Sequence, residues 1–250
     1  MRAVILAAGQ GTRLGVLTND QPKCLVPYRG TSLLQRALDS LRSAGVTDVT
    51  VVTGWKADRV KALGVQTRFN PDFATTNMVQ SLFCAEDLME GDDLLIVYGD
   101  VAFKPSIIRA LASAPEPFAL AVNTKWRELW ERRMPDPLAD VETLKLDGQG
   151  FVTELGKKAT RYEDVQGQYT GLIRIKQDAV AKMRAFYRGL DRSKKYDGKD
   201  FPQMYMTSFL QEIISGLMPI KAVLVDGGWL EVDSPEDLAA YETLPADFLD

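Results

Sequence analysis

Histidine is absent from this 250-residue chain, so its chemistry must run on carboxylates, lysines, arginines and backbone amides, with or without a hard metal ion. That absence removes Ser-His-Asp hydrolysis, Cys-His chemistry and histidine-ligated metals together. Cys24 and Cys84 lie far apart and have no CxxC partner, which points to neither a disulfide framework nor a zinc site. The most suggestive string is Leu6-Ala7-Ala8-Gly9-Gln10-Gly11-Thr12-Arg13-Leu14, with Pro22-Lys23 shortly after it. Gly9 and Gly11 let the backbone approach a ligand closely and aim N–H groups at one spot, which suits phosphate oxygens. Arg13 and Lys23 add positive charge for a polyphosphate. Two glycines near a strand end are, taken alone, more often a plain turn. Spacing excludes two known alternatives: the third glycine, Gly15, falls one residue late for G-x-G-x-x-G, and no Gly-Lys-Ser/Thr follows as a P-loop needs.

The elements that must position this loop alternate regularly over the first hundred residues. Arg2–Ala7 is a short apolar run of the kind found in buried parallel strands. Ser32–Ala44 has apolar residues at helical spacing and is closed by Gly45. Strands are predicted at Asp48–Thr53, Val65–Asn70 and Asp93–Tyr98, with helices at Lys56–Leu63 and Asn77–Leu88. Strand and helix at this pace mean right-handed βαβ units and a parallel sheet covered on both faces. After about residue 117 the rhythm changes. Phe118–Thr124, Val141–Leu146, Phe151–Leu155 and Tyr169–Ile175 read as strands that either extend the sheet in antiparallel pairs or form a small flap. Helices follow at Gln177–Leu190 and Gln203–Leu217, then a strand at Ile220–Val225 and a helix opening at Ser234-Pro235, with Asp237 placed to complete its cap. Residues 191–200 are the expected mobile loop.

Composition is that of an ordinary globular protein, 46% hydrophobic and 26% charged, so a single α/β domain with insertions is the expectation. The net charge of −4 argues against nucleic acid as a partner and requires any anion to be held by a local positive cluster. No stretch approaches the ~20 apolar residues of a membrane span, and a cytoplasmic protein without membrane contact is expected.

The string LAAGxGxRL with its downstream Pro-Lys resembles the nucleoside-diphosphate-sugar pyrophosphorylase superfamily. The resemblance implies a single-domain, three-layer α/β/α fold with a mixed, mainly parallel sheet. Residues 1–117 would bind the nucleotide, and residues 118–250 the acceptor. Carried over by position, Leu6, Ala7, Ala8, Gly9, Gly11 and Thr12 would cradle the triphosphate. Arg13 would meet its β and γ phosphates, and Lys23 the α-phosphate under attack. Gly99-Asp100 and Glu231-Val232-Asp233-Ser234 match the superfamily's metal aspartates, which assigns Asp100 and Asp233 to Mg2+. Such a cation would stabilise charge gathering on one phosphorus during in-line displacement. The plainer alternative is a strand-end turn at Asp100 and a helix N-terminus at Asp233.

The segment Asn70-Pro71-Asp72-Phe73-Ala74-Thr75-Thr76-Asn77-Met78-Val79-Gln80-Ser81-Leu82 replaces the glycine-rich base segment of the sugar branches. It resembles the pattern of bacterial phosphocholine cytidylyltransferases, which implies CTP, with Asn77, Gln80 and Ser81 offered to the pyrimidine or ribose. Asn77 also suits a plain helix N-cap. The polar motifs between the later strands are similar to those of CTP:phosphoglutamine cytidylyltransferases. They imply an acceptor site drawn from Lys125, Arg127, Glu142, Glu154, Lys157 or Lys158, Tyr169, Gly171, Trp229 and Glu231. Lysine and arginine suit a phosphate, and the glutamates an amine or amide. Trp126, Trp130, Tyr169 and Trp229 either box a quaternary ammonium or pack in the core. The Arg127–Arg133 segment either serves the site or is an amphipathic helix with its charges in solvent.

The expected activity is therefore Mg2+-dependent transfer of CMP from CTP to a small phosphorylated acceptor. Its rivals are a sugar-1-phosphate uridylyl- or guanylyltransferase and a silent nucleotide-binding subunit. An NAD-binding oxidoreductase is disfavoured, because Pro27-Tyr28-Arg29-Gly30 stands where it would need an acidic residue.

Overall fold

Alternation along the first strand accounts for the layering. In the computed structural model, which describes residues 1–249, Ala3, Ile5 and Ala7 face one core while Val4 and Leu6 face another. Side chains of a strand point to opposite faces in turn, so a wholly apolar run needs cover on both. The first face is covered by helices Leu33–Ser43, Pro105–Ser113, Trp126–Arg133 and Pro235–Tyr241; the second by Met78–Phe83, Gln177–Gly189 and Met206–Gly216. This is the expected three-layer α/β/α arrangement.

The sheet has seven strands: β1 (Arg2–Ala7), β2 (Asp48–Thr53), β3 (Gln66–Phe69), β4 (Leu94–Tyr98), β5 (Phe118–Asn123), β6 (Gln168–Ile175) and β7 (Lys221–Val225). Their spatial order is β7-β5-β6-β4-β1-β2-β3. β1 is parallel to β2 and β4, β2 to β3, and β5 to β7, whereas β6 is antiparallel to both β4 and β5. The strands after residue 117 therefore do both things the sequence allowed. β5 and β6 extend the sheet, while Glu142–Leu146 and Val152–Lys158 form a separate antiparallel hairpin.

A second small pairing matters more for the site. Val101–Phe103 runs antiparallel to Trp229–Glu231, with Glu231 opposite Val101. The Val232 N–H donates to the Asp100 carbonyl at 3.0 Å, so two segments far apart in sequence are zipped together beside Asp100 and Asp233.

Several boundaries differ from the sequence expectations. The Asn77–Leu88 helix ends at Phe83 and is followed by a 3-10 turn at Glu86–Met89. The helix expected from Gln203 starts at Met206. Pro105–Ser113, with proline in its first turn and Ile107, Ile108 and Leu111 buried, lies where no helix was assigned. Within residues 191–200, Tyr196 is buried in the second core and Lys194 pairs with Glu212 at 2.8 Å, which anchors the segment to the body. No helix of the described residues is long and apolar enough to cross a membrane.

Candidate active site

The first loop and Lys23 are fitted to one another. β1 ends at Ala7, and Gly11, at φ 76°, opens the 3-10 segment Thr12–Thr18. A Cβ on Gly11 would lie 2.7 Å from the Cβ of Lys23, so only glycine lets the lysine stem pass here. The Lys23 ammonium then sits between two carboxylates, 2.7 Å from Asp100 Oδ2 and in close contact with Asp233 Oδ1. Arg13 reaches the same Asp233 oxygen at 2.8 Å, although most of its side chain is exposed.

Asp100, Glu231 and Asp233 each bring a carboxylate oxygen within 4.8 Å of the others, a group able to hold a metal ion. Hard divalent ions take oxygen ligands in such groupings. Asp100 Oδ1 is buried and accepts no hydrogen bond, which leaves a lone pair free for a cation. The charges are mutually dependent. Burial works against the Lys23 charge, but Asp100 and Asp233 outweigh it and hold the ammonium above its ordinary range. Burial likewise opposes ionised Asp233, yet Lys23, Arg13 and Arg133 keep its carboxyl below the usual value. Glu231 is pushed up, by burial first and then by the charges of Asp233 and Asp100.

Two cavities meet at this cluster. The first, of about 150 Å3, lies under the loop and is walled by Leu6, Ala7, Ala8, Gly9, Lys23, Phe73, Asn77, Ser81 and Asp100, among others. The second, of about 290 Å3, is walled by Arg13, Trp130, Asp140, Glu142, Tyr169, Gly171, Thr207, Trp229, Glu231 and Asp233, among others. Asn77 and Met78 belong to both. In the second cavity Gly171, at φ 73°, is held against the Tyr98 ring, where a Cβ would fall 2.5 Å from ring carbon.

Some residues picked out in the sequence lie elsewhere. Gln80 turns away from the first cavity, and its side-chain oxygen accepts from the Tyr187 hydroxyl at 3.0 Å. Gly11 and Thr12 shape the loop without walling the cavity. Lys125 pairs with Glu128 and Asp226, and Arg127 pairs with Glu131 over the Tyr162 ring, both outside the second cavity. Lys157 pairs with Glu154 at 2.6 Å on the hairpin, and Lys158 is an exposed hairpin residue opposite Glu142. The open aromatic box is not formed. Trp130 and Trp229 are fully buried and stacked at 6.2 Å, with Trp126 edge-on to Trp130 on the far side.

The structure also adds residues. Trp126–Arg133 is a helix, but its charges do not all face solvent: the Arg133 side chain is only 2% exposed. It lies 4.6 Å from the Trp130 ring and grips Asp237, Nε to Oδ1 at 2.8 Å and Nη2 to Oδ2 at 3.2 Å. Spacing of four and then three from Trp126 through Trp130 to Arg133 places all three on one helix face, a signal that was available in the sequence. Ser234 and Asp237 form the expected capping box. Asp140, Tyr98 and Thr207 had no comparable signal.

Comparison with known proteins places this geometry. Residues 3–158 match the model of the MobA-like NTP transferase domain. The chain belongs to that family. This nucleotidyltransferase is 41% identical to the CTP:phosphoglutamine cytidylyltransferase of Campylobacter jejuni, over 95% of its own length and 98% of that protein. It is 28% identical to the CMP-5'-(3-aminopropyl)phosphonate synthase of Streptomyces rubellomurinus, where the match covers 95% of this chain but 37% of the relative. In fold it resembles CTP:phosphocholine cytidylyltransferase from Streptococcus pneumoniae, with a TM-score of 0.71 and 20% identity over 96% of this chain and 97% of that one. The inositol-1-phosphate CTP transferase from T. maritima gives a TM-score of 0.73 and 21% identity over 98% of each chain.

Proposed function

We propose that this nucleotidyltransferase transfers CMP from CTP to a small phosphorylated acceptor with release of pyrophosphate, and that the acceptor resembles phosphoglutamine or phosphocholine. The observation that carries the reading is the junction of two cavities at Lys23, beside three carboxylates. One cavity is walled by the first loop with Lys23, Asn77 and Ser81, which suit a nucleotide; the other offers polar and acidic walls for an acceptor. Nucleotide identity rests on the relatives, among which cytidylyl transfer recurs.

In this mechanism the loop from Ala8 to Arg13 holds the triphosphate, and Lys23 leaves the carboxylates to meet the α-phosphate. Asn77 and Ser81 face the base or ribose. An oxygen of the acceptor phosphate attacks the α-phosphorus, the bond to the β-phosphate oxygen breaks, and pyrophosphate departs with that electron pair. A phosphate monoester is largely dianionic at neutral pH (second pKa about 6), so the attack needs no general base, and a chain without histidine can perform it. Lys23 and Arg13 neutralise charge gathering on the phosphates as the bond breaks. Asp100 and Asp233, joined by Glu231, would hold Mg2+, which when bound supplies further charge neutralisation and orients the phosphates. Glu142, Tyr169, Gly171 and Trp229 would surround the acceptor.

The test is pyrophosphate release with Mg2+, crossing CTP, UTP, GTP and ATP against phosphocholine, aminoethylphosphonate, phosphoglutamine and hexose 1-phosphates. Turnover with CTP and one amine- or amide-bearing acceptor is expected. Turnover confined to UTP or GTP with a hexose phosphate would overturn the choice of substrate.

A further inference from the structure

Three cations neutralise the carboxylates at the junction, and they differ in what they can reach. Arg13 is mostly exposed, and Lys23 faces the first cavity, so both can turn to a bound polyphosphate. Arg133 cannot. Its side chain is 2% exposed and walls neither cavity, and it approaches the cluster from behind.

From there its guanidinium is joined to the metal-type carboxylate by two routes. Directly, Nη2 lies 3.6 Å from Asp233 Oδ2. Indirectly, the fork holds both oxygens of Asp237, and Asp237 Oδ2 accepts from the backbone N–H groups of Asp233, at 2.7 Å, and Ser234, at 2.9 Å. Asp237 is itself only 4% exposed in its side chain, so the pair is locked by packing on both sides. The other edge of the guanidinium faces the acceptor cavity's wall. Nη1 makes no hydrogen bond and lies 3.9 Å from Asp140 Oδ2, an oxygen that also accepts from Trp130 Nε1 at 3.0 Å. A planar, bidentate grip of this kind fixes orientation as well as charge, which a lysine in its place would not do.

We propose that Arg133 is a positioning residue, which orients Asp233 through Asp237 and ties that carboxylate to the Trp130–Asp140 wall of the acceptor cavity. Its role rests on the nucleotidyl-transfer reading for turnover, but its effect on cation binding does not. Partners that orient a metal ligand from behind typically change metal affinity or activity by about 10–100-fold when lost.

The experiment compares the wild type with Arg133→Lys, which keeps the charge and removes the fork, and with Arg132→Lys on the exposed side of the same helix as control. Mn2+ binding to the nucleotide-free protein is read by paramagnetic resonance, and kcat and KM by pyrophosphate release. Arg133→Lys is expected to weaken Mn2+ binding and lower kcat, each on the order of 10-fold or more. The KM for nucleotide should move much less, and Arg132→Lys should match the wild type. Should Arg133→Lys fail to fold, Asp237→Asn serves instead, since it keeps an oxygen for the backbone cap while loosening the fork; the same losses are expected, smaller in size. Unchanged Mn2+ affinity together with unchanged kcat in the folded variant would overturn the proposal. If the wild type turns over no CTP, the Mn2+ arm alone still decides it, and the failure belongs to the substrate reading.

Discussion

The two cavities that meet at Lys23 are built by different means. The first is walled by short strings that all lie within the first hundred residues: Leu6–Gly9 at the end of β1, Lys23-Cys24, the segment around Asn77 at the start of one helix, and the Gly99–Asp100 turn. Its shape follows from local backbone conformation, with Gly11 in the left-handed region and the Lys23 stem against it. The second draws on the Trp126–Arg133 helix, the hairpin, β6, the Met206–Gly216 helix and the Trp229–Glu231 strand. No short string contains it, and its form depends on how those elements dock. A local site can be written in a motif, whereas a site assembled from distant segments is specified only by the packed fold.

The largest effect that would sharpen this contrast is expected at the junction itself. Lys23→Met should reduce turnover by about 10²–10³-fold with the fold intact, the size typical of losing one group that stabilises developing charge. The same substitution frees Asp100 and Asp233 from their ammonium, so the nucleotide-free variant should bind Mn2+ more tightly than the wild type. Circular dichroism and a Mn2+ titration check both halves of the statement.

A smaller effect is expected where the first cavity relies on backbone alone. Gly11→Ala forces a side chain into a left-handed conformation and against Lys23, which should cost about 1–2 kcal/mol of stability. It should lower kcat/KM for the nucleotide and leave the KM for acceptor in place. An equal loss for both substrates would break the separation of the two cavities.

On the acceptor side, Glu142→Gln should raise the KM for acceptor, by roughly 10-fold if its carboxylate meets an amine, without moving the KM for CTP. Although much of the Glu142 residue is exposed, partial loss of water around its carboxyl at the cavity wall, then Asp140 and Asp197, raise that carboxyl above its ordinary 4.5. The folded state therefore holds this proton where the unfolded chain has released it, and stability falls as pH rises from about 4.5 through the raised value. In Glu142→Gln the melting temperature should decline less over that window. The smallest effect is expected from Gln80→Ala, because Tyr187 engages that amide; the KM for CTP should stay within about twofold.

Much of the fold was legible because β1 is apolar at every position from Ala3 to Ala7 and the βαβ rhythm leaves few topologies. Ser234 and Asp237 were legible as a cap because a capping box is a local device. The helix at Pro105–Ser113 also has a local signal, a proline in its first turn with Ile107, Ile108 and Leu111 on one face. Arg133 was obscured for a physical reason. Arginine is usually solvated, and only the docking of its helix against Pro235–Tyr241 takes it out of water and onto Asp237. Lys157 and Lys158 are not separable in the sequence, and the structure places both on the exposed hairpin, where neither walls the second cavity although Lys158 stands opposite Glu142, which does. The three-way gathering of Asp100, Glu231 and Asp233 depends on the Val101–Phe103 pairing with Trp229–Glu231, a contact between segments more than a hundred residues apart.

The most direct test of the central claim, that nucleotidyl transfer takes place at Lys23 between the two cavities, follows the label from CTP carrying 32P at the α position. With Mg2+ and phosphoglutamine, label should appear in a product joined to the acceptor in the wild type and about 10²–10³-fold more slowly in Lys23→Met, while Gln80→Ala behaves as the wild type. Label transfer undiminished in Lys23→Met, or label left on a nucleoside diphosphate while the acceptor is modified, would contradict it.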